Sequence, residues 1–137
     1  FYVNASRYIP VSKKLTLGLN LYSDNFFGNV PFFEMAYLGG AKNLRGFYEG
    51  EIRDKHSLAF NTELRYRFLP RFAIVGFGGV GSVAPSLDKL LQTKLPYAYG
   101  AGLRVVIDPK ERLNFRIDYG LNSYGKGKLY VSFFEAF

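Results

Sequence analysis

The chain contains no cysteine and no tryptophan, only one histidine, and no long unbroken apolar run. Without cysteine there is no disulfide framework and no thiolate metal site, an absence that fits an outer-membrane or periplasm-facing protein. With His56 as the only imidazole, a centre built on several histidines is excluded. Asp54 and Glu51 stand near it without completing a ligand set. No metal and no cofactor are expected. No stretch of about 18 apolar residues occurs, so no helix can be read as crossing a membrane. An initiating Met and a signal-peptide pattern are also missing. The opening "FYVNASRYIPV" already reads like strand interior, so residues 1–137 are expected to be a mature-protein fragment belonging to one domain.

What the chain does have is aromatic residues, glycine and positive charge. Its 137 residues include 14 Phe, 11 Tyr and 15 Gly. This mixture favours strands over helices. The net charge is +7, from 18 Lys+Arg against 11 Asp+Glu. The basic residues gather at segment ends: Lys13 and Lys14, Arg67 and Arg71, Lys110 and Arg112. That placement suits lipid head groups at a membrane surface, and nucleic acid is not an expected partner.

Periodicity sets the class. In 15–22, "LTLGLNLY", the leucines 15, 17, 19 and 21 share one face. In 57–68, Leu58, Phe60, Thr62, Leu64, Tyr66 and Phe68 oppose Ser57, Ala59, Asn61, Glu63, Arg65 and Arg67. Segments 97–108 and 113–122 alternate in the same way, and 1–11 and 128–137 do so more weakly. Segment 71–84 is a glycine-interrupted strand, expected to bend. Its glycines, Gly76, Gly78, Gly79 and Gly81, do not make a phosphate-binding loop, because no strand-to-helix turn follows.

The count is about seven strands of roughly 9–12 residues, the length that crosses a bilayer when tilted. One face is apolar with aromatics near its ends; the other carries charges and small residues. Short turns at 12–14, 69–70 and 109–112 alternate with longer links at 23–56 and 85–96, and the last long-side link, 125–127, is tight. Segment 86–95 is expected to form about two helical turns. The fold class predicted is an all-β, antiparallel transmembrane barrel portion with the C-terminus on the short-turn side.

The loop "LGGAKNLRGFYEG" (38–50) is too apolar for an ordinary solvated connection. Its Leu44, Arg45, Gly46 and Phe47, followed by "ELRYRF" (63–68), "RFAIVGFGGVG" (71–81), "YGAGLRVVIDPKERLNFRIDYG" (99–120) and "YVSFFEAF" (130–137), resemble the BamA/TamA family of outer-membrane proteins, the bacterial surface antigen family. The resemblance covers nearly the whole chain and matches the C-terminal part of the family's barrel. It implies a bacterial outer-membrane barrel that inserts or exports client proteins without catalytic chemistry, with a long extracellular loop folded back inside. It further implies lipid, client proteins and accessory assembly proteins as partners, and Tyr130, Phe133 and Phe137 as a C-terminal assembly signal.

By the same resemblance the loop arginine pairs with acids on the strands that follow. Glu63 fits the first position, and its parity places it in the lumen. The second would fall near Gly79, where this chain has no acid, so Arg45 is expected to have a single partner. Arg116 and Asp118, two apart on one face, are expected to form a structural lumen pair. Glu49, Glu51 and Asp54 lack the nucleophile that acid–base chemistry would need. Seven strands alone would leave edges, so a chain expressed by itself would be expected to oligomerise through them. The alternative is a passive small porin or structural anchor. A third reading, a soluble β-sandwich that binds an acidic partner, conflicts with the aromatic-rich apolar faces.

Overall fold

In the computed structural model, which describes residues 1–40, 43–92, 95–108 and 113–133, the chain is a meander of long strands with one elaborated loop. The strands are β1 (Tyr2–Pro10), β2 (Leu15–Asn25), β3 (Ala36–Leu38), β4 (Ile52–Asp54), β5 (His56–Leu69), β6 (Phe72–Ala84), β7 (Tyr97–Asp108), β8 (Leu113–Asn122) and β9 (Gly127–Ser132). Seven of them form one antiparallel sheet in the order β1-β2-β5-β6-β7-β8-β9, and β3 pairs with β4 in a separate ribbon inside the long loop. β1 and β9 are the edges of the larger sheet.

The strands extend beyond the apolar alternation. β2 continues through Ser23, Asp24 and Asn25, paired with Leu58, Ser57 and His56. Ladder hydrogen bonds hold these polar residues extended past the last apolar pair. Of the 128–137 expected as the last strand, β9 covers 128–132, and residues 134–137, with Phe137, lie outside the described residues. So do the turn at 109–112 and the cations Lys110 and Arg112.

Among the described residues of 86–95 the two helical turns expected there do not form. Only Leu87–Lys89 forms a 3₁₀ turn, and Ser86 gives it no side-chain cap. Leu90 closes the turn: its side chain is buried and its carbonyl accepts the Ser82 hydroxyl. An uncapped segment this short does not repay the cost of helix nucleation.

Burial is inverted relative to a soluble sheet. Asn20, Asn61, Glu63, Arg104, Arg116 and Asp118 are buried on the inner face. On the outer face Leu64, Ile74, Leu129 and Val131 are 46–59% exposed. Outward aromatics form two bands. Tyr97, Tyr99 and Tyr119 lie toward the long loops; Tyr66, Phe68, Phe72 and Phe133 lie toward the short turns. An exposed apolar belt between aromatic girdles suits a strand surface against lipid. The soluble-sandwich reading fails here, because among the described residues no second layer covers this face.

Candidate functional site

The site is the tip of the β3–β4 loop, seated on the concave face of the sheet. Strand register prepares its seat. Glu63 pairs with Phe77, Phe77 with Gly100, and Gly100 with Gly120. Across this row β7 and β8 contribute no side chain, and the loop occupies the space they leave. A Cβ on Gly120 would stand 2.9 Å from Gly46 N and 3.0 Å from Gly46 Cα.

The tip is folded to match. Gly46 has φ +124°, and a Cβ there would lie 2.8 Å from Ala98 Cβ. Its N–H donates to Tyr130 Oη at 2.9 Å, and its carbonyl accepts from Asn122 Nδ2 at 2.8 Å. Tyr130 in turn donates to the Phe47 carbonyl at 2.6 Å. On the other side Asn61 Nδ2 donates to Asn43 O at 2.6 Å. Leu44 and Phe47 are fully buried with Ala98, and Ile52 packs beside them. Phe47 also meets Tyr124 edge-on at 5.4 Å.

Arg45 bridges two strands that lie far apart in sequence. Its Nη2 is 2.6 Å from Glu63 Oε2 on β5, and its Nη1 is 3.1 Å from Asp118 Oδ2 on β8. The guanidinium lies 3.9 Å from the centre of the Phe77 ring. The second acid therefore comes from β8 and not from the Gly79 position, so the single-partner expectation is corrected. Packing explains why no acid stands at Gly79: a Cβ there would lie 2.9 Å from Leu44 Cδ1 and against the Asn61 side chain.

The acids serve more than Arg45. Arg104 Nη1 is 2.5 Å from Asp118 Oδ1, and Arg104 Nη2 is 3.6 Å from Glu63 Oε2. Arg116 Nη2 is 3.2 Å from Asp118 Oδ2, and Arg65 Nε bonds Glu63 Oε1. Arg116 and Asp118, expected from sequence as a structural lumen pair, do pair and are part of a cluster of four arginines and two fully buried carboxylates. Arg104, Arg65, Asn61 and Asn122 were missed as site residues, and Tyr130 was named only as part of the C-terminal signal and not as a partner of the loop. Strand parity, which puts each on the inner face, was the available signal.

The C-terminal group does not form one surface. Tyr130 points inward to the loop, whereas Phe133 is on the outer face against Phe115, with ring centroids 5.5 Å apart. His56 is buried against Asn25 Oδ1, 3.0 Å from Nδ1, with Phe27 edge-on. Glu51 accepts the Tyr48 N–H, and Glu49 accepts the Tyr37 hydroxyl. These contacts are local loop bonds.

A direct test of the seat is Tyr130→Phe. It removes one hydroxyl and leaves the Gly46 N–H and the Phe47 carbonyl without that partner. A buried group left unsatisfied costs about 1–3 kcal/mol. Hydrogen exchange at the Gly46 amide is expected to accelerate by one to several orders of magnitude while the β5–β6 amides stay protected. Unchanged exchange at Gly46 would show that the bond does not hold the loop.

No curated protein matches the chain. A family model described as the Omp85 superfamily domain matches residues 1–133. Barrels of this superfamily reside in outer membranes, of bacteria or organelles, and assemble or translocate proteins without catalysing a reaction. The inward loop, the inverted burial and the family match agree with one another, and the chain belongs to the Omp85 superfamily.

Proposed function

We propose that this chain forms the C-terminal wall and inward loop of a bacterial outer-membrane barrel that inserts or exports client proteins. The observation that carries this reading is the Arg45 bridge to Glu63 and Asp118, which fixes the loop across the lumen from β5 to β8. A passive wall has no need of a cross-brace. A wall that must keep its shape while one seam opens does.

The seam in this reading is β9. An edge strand presents unpaired N–H and C=O groups, and an incoming client strand can add to them. Lipid contacts the outer belt, and accessory proteins approach the rims. Neighbouring barrel strands, or a second copy if the chain is alone, cover the edges at β1 and β9.

The test is Arg45→Ala in cells that depend on the protein. It deletes two charge-assisted hydrogen bonds, each worth about 1.5–3 kcal/mol. Client barrels are expected to accumulate unassembled while this barrel keeps its heat-modifiable migration on gels. Normal client assembly with a folded barrel would favour a passive porin or anchor. A barrel lost altogether would call for Arg45→Lys, which retains the charge without the bidentate geometry.

A further inference from the structure

Below the loop seat, toward the short turns, the inner face holds a second feature. A cavity of about 180 Å³ is lined by Lys13, Lys14, Arg65, Arg67, Arg104 and Asn114, among others. A single water needs roughly 10–15 Å³ by a comparable measure, so the space exceeds one solvent molecule several-fold. Five of its lining residues are cations, and among the described residues no carboxylate lines it. Among the described residues the acids of the adjoining cluster are Glu63 and Asp118, and its four arginines already share them.

One of those arginines has bonding capacity left. Arg104 is 4% exposed, yet its Nε makes no hydrogen bond among the described residues. Its two Nη atoms are committed to Asp118 and Glu63. A buried N–H donor without an acceptor is costly, and an oxyanion in this cavity would supply one. Thr16 and Asn114 add neutral polar groups to the lining. Lys13, Lys14 and Arg67 stand exposed around it, where they raise the local potential and attract anions.

We infer that this cup, on the lumen side of the short-turn rim, is an oxyanion-binding site. It takes a phosphate or a carboxylate, either as a free ion or carried on an acidic peptide segment. Guanidinium forks suit both groups, and lysines act as point charges beside them. The lining belongs to the inner face, away from the outward apolar belt, so an acyl chain is not the occupant. The inference concerns a different set of contacts from the Arg45 brace, and it stands or falls separately from the client-assembly reading.

The experiment uses the whole protein folded in neutral-detergent micelles, titrated calorimetrically with inorganic phosphate and with an end-capped tetraglutamate peptide. The comparison variant carries Lys14→Ser and Arg67→Ser, both at exposed positions outside the arginine–carboxylate cluster. Lys89→Ser, on the long-loop side, is the control. Saturable phosphate binding is expected, weakened about tenfold or more by the double variant, equivalent to about 1.4 kcal/mol, and unaffected by the control. Displacement of phosphate by the peptide would identify a cup open to a chain; failure to displace would identify a free-ion site. Either result supports the inference. Binding of neither probe, equal affinity in the double variant, or equal loss in the control would overturn it. Unchanged gel migration of each variant ensures that lost binding is not lost folding.

Discussion

Asp118→Asn is expected to destabilise the folded barrel by about 3–5 kcal/mol, the range for breaking a buried charge pair, while Arg116→Gln costs clearly less. Asp118 is fully buried and accepts from Arg45, Arg104 and Arg116 at 3.1, 2.5 and 3.2 Å. Asparagine preserves the size of the side chain but removes its charge. Its amide also turns donors toward groups that are themselves donors. Three guanidiniums would then face one another with only Glu63 nearby.

The asymmetry comes from the charge balance. Four arginines share two carboxylates, so the cluster has cations in excess. Removing a cation reduces that excess, and removing an anion increases it. Urea midpoints of the folded, heat-modifiable form would measure both changes. Combining Asp118→Asn with Arg116→Gln should recover part of the loss, a coupling that only residues in one network display. Equal destabilisation by the two single variants, or strict additivity in the double, would mean that the arginines are solvated independently and form no cluster.

Much of this arrangement was legible in the sequence, and what was not has a physical reason. Period-two alternation marks β2, β5, β7 and β8 clearly and the edge strands more weakly, and by itself it puts Glu63 and Asp118 on the inner face. Parity says which face a side chain occupies but not what lies opposite. Arg45 and Asp118 are 73 residues apart and meet only because the sheet curves around the loop. That curvature follows from strand twist and leaves no local mark. Gly79 shows the same limit in reverse. From sequence it is a missing acid; in the fold it is the space that Leu44 fills. Tyr130 was grouped with Phe133 in an assembly signal on the family resemblance, although their opposite parity already assigned them to opposite faces.

The glycines carry the last prediction. Gly120→Ala is expected to evict the loop without removing a polar bond. The added Cβ would meet Gly46 N at 2.9 Å, Gly46 Cα at 3.0 Å and Arg45 C at 3.1 Å, all of them backbone atoms of the seated tip. Backbone held by Tyr130, Asn122 and the Arg45 bridge cannot shift by rotating a side chain, so the strain falls on the docking itself. Overpacking of this kind costs about 1–3 kcal/mol. Gly46→Ala should act the same way and more severely, because φ +124° adds backbone strain to the 2.8 Å contact with Ala98. Gly79→Ala should be milder: its nearest contacts are the ends of the Leu44 and Asn61 side chains, which can move. Trypsin provides the readout. Arg45 is only 6% exposed in the seated loop, so cleavage after it requires the tip to leave the lumen. Cleavage at Arg45 should rise in the order wild type, Gly79→Ala, Gly120→Ala, Gly46→Ala, while the strands remain resistant. A Gly120→Ala protein as resistant at Arg45 as the wild type would mean that the tip does not rest against β8, and that the loop is held by its arginine alone.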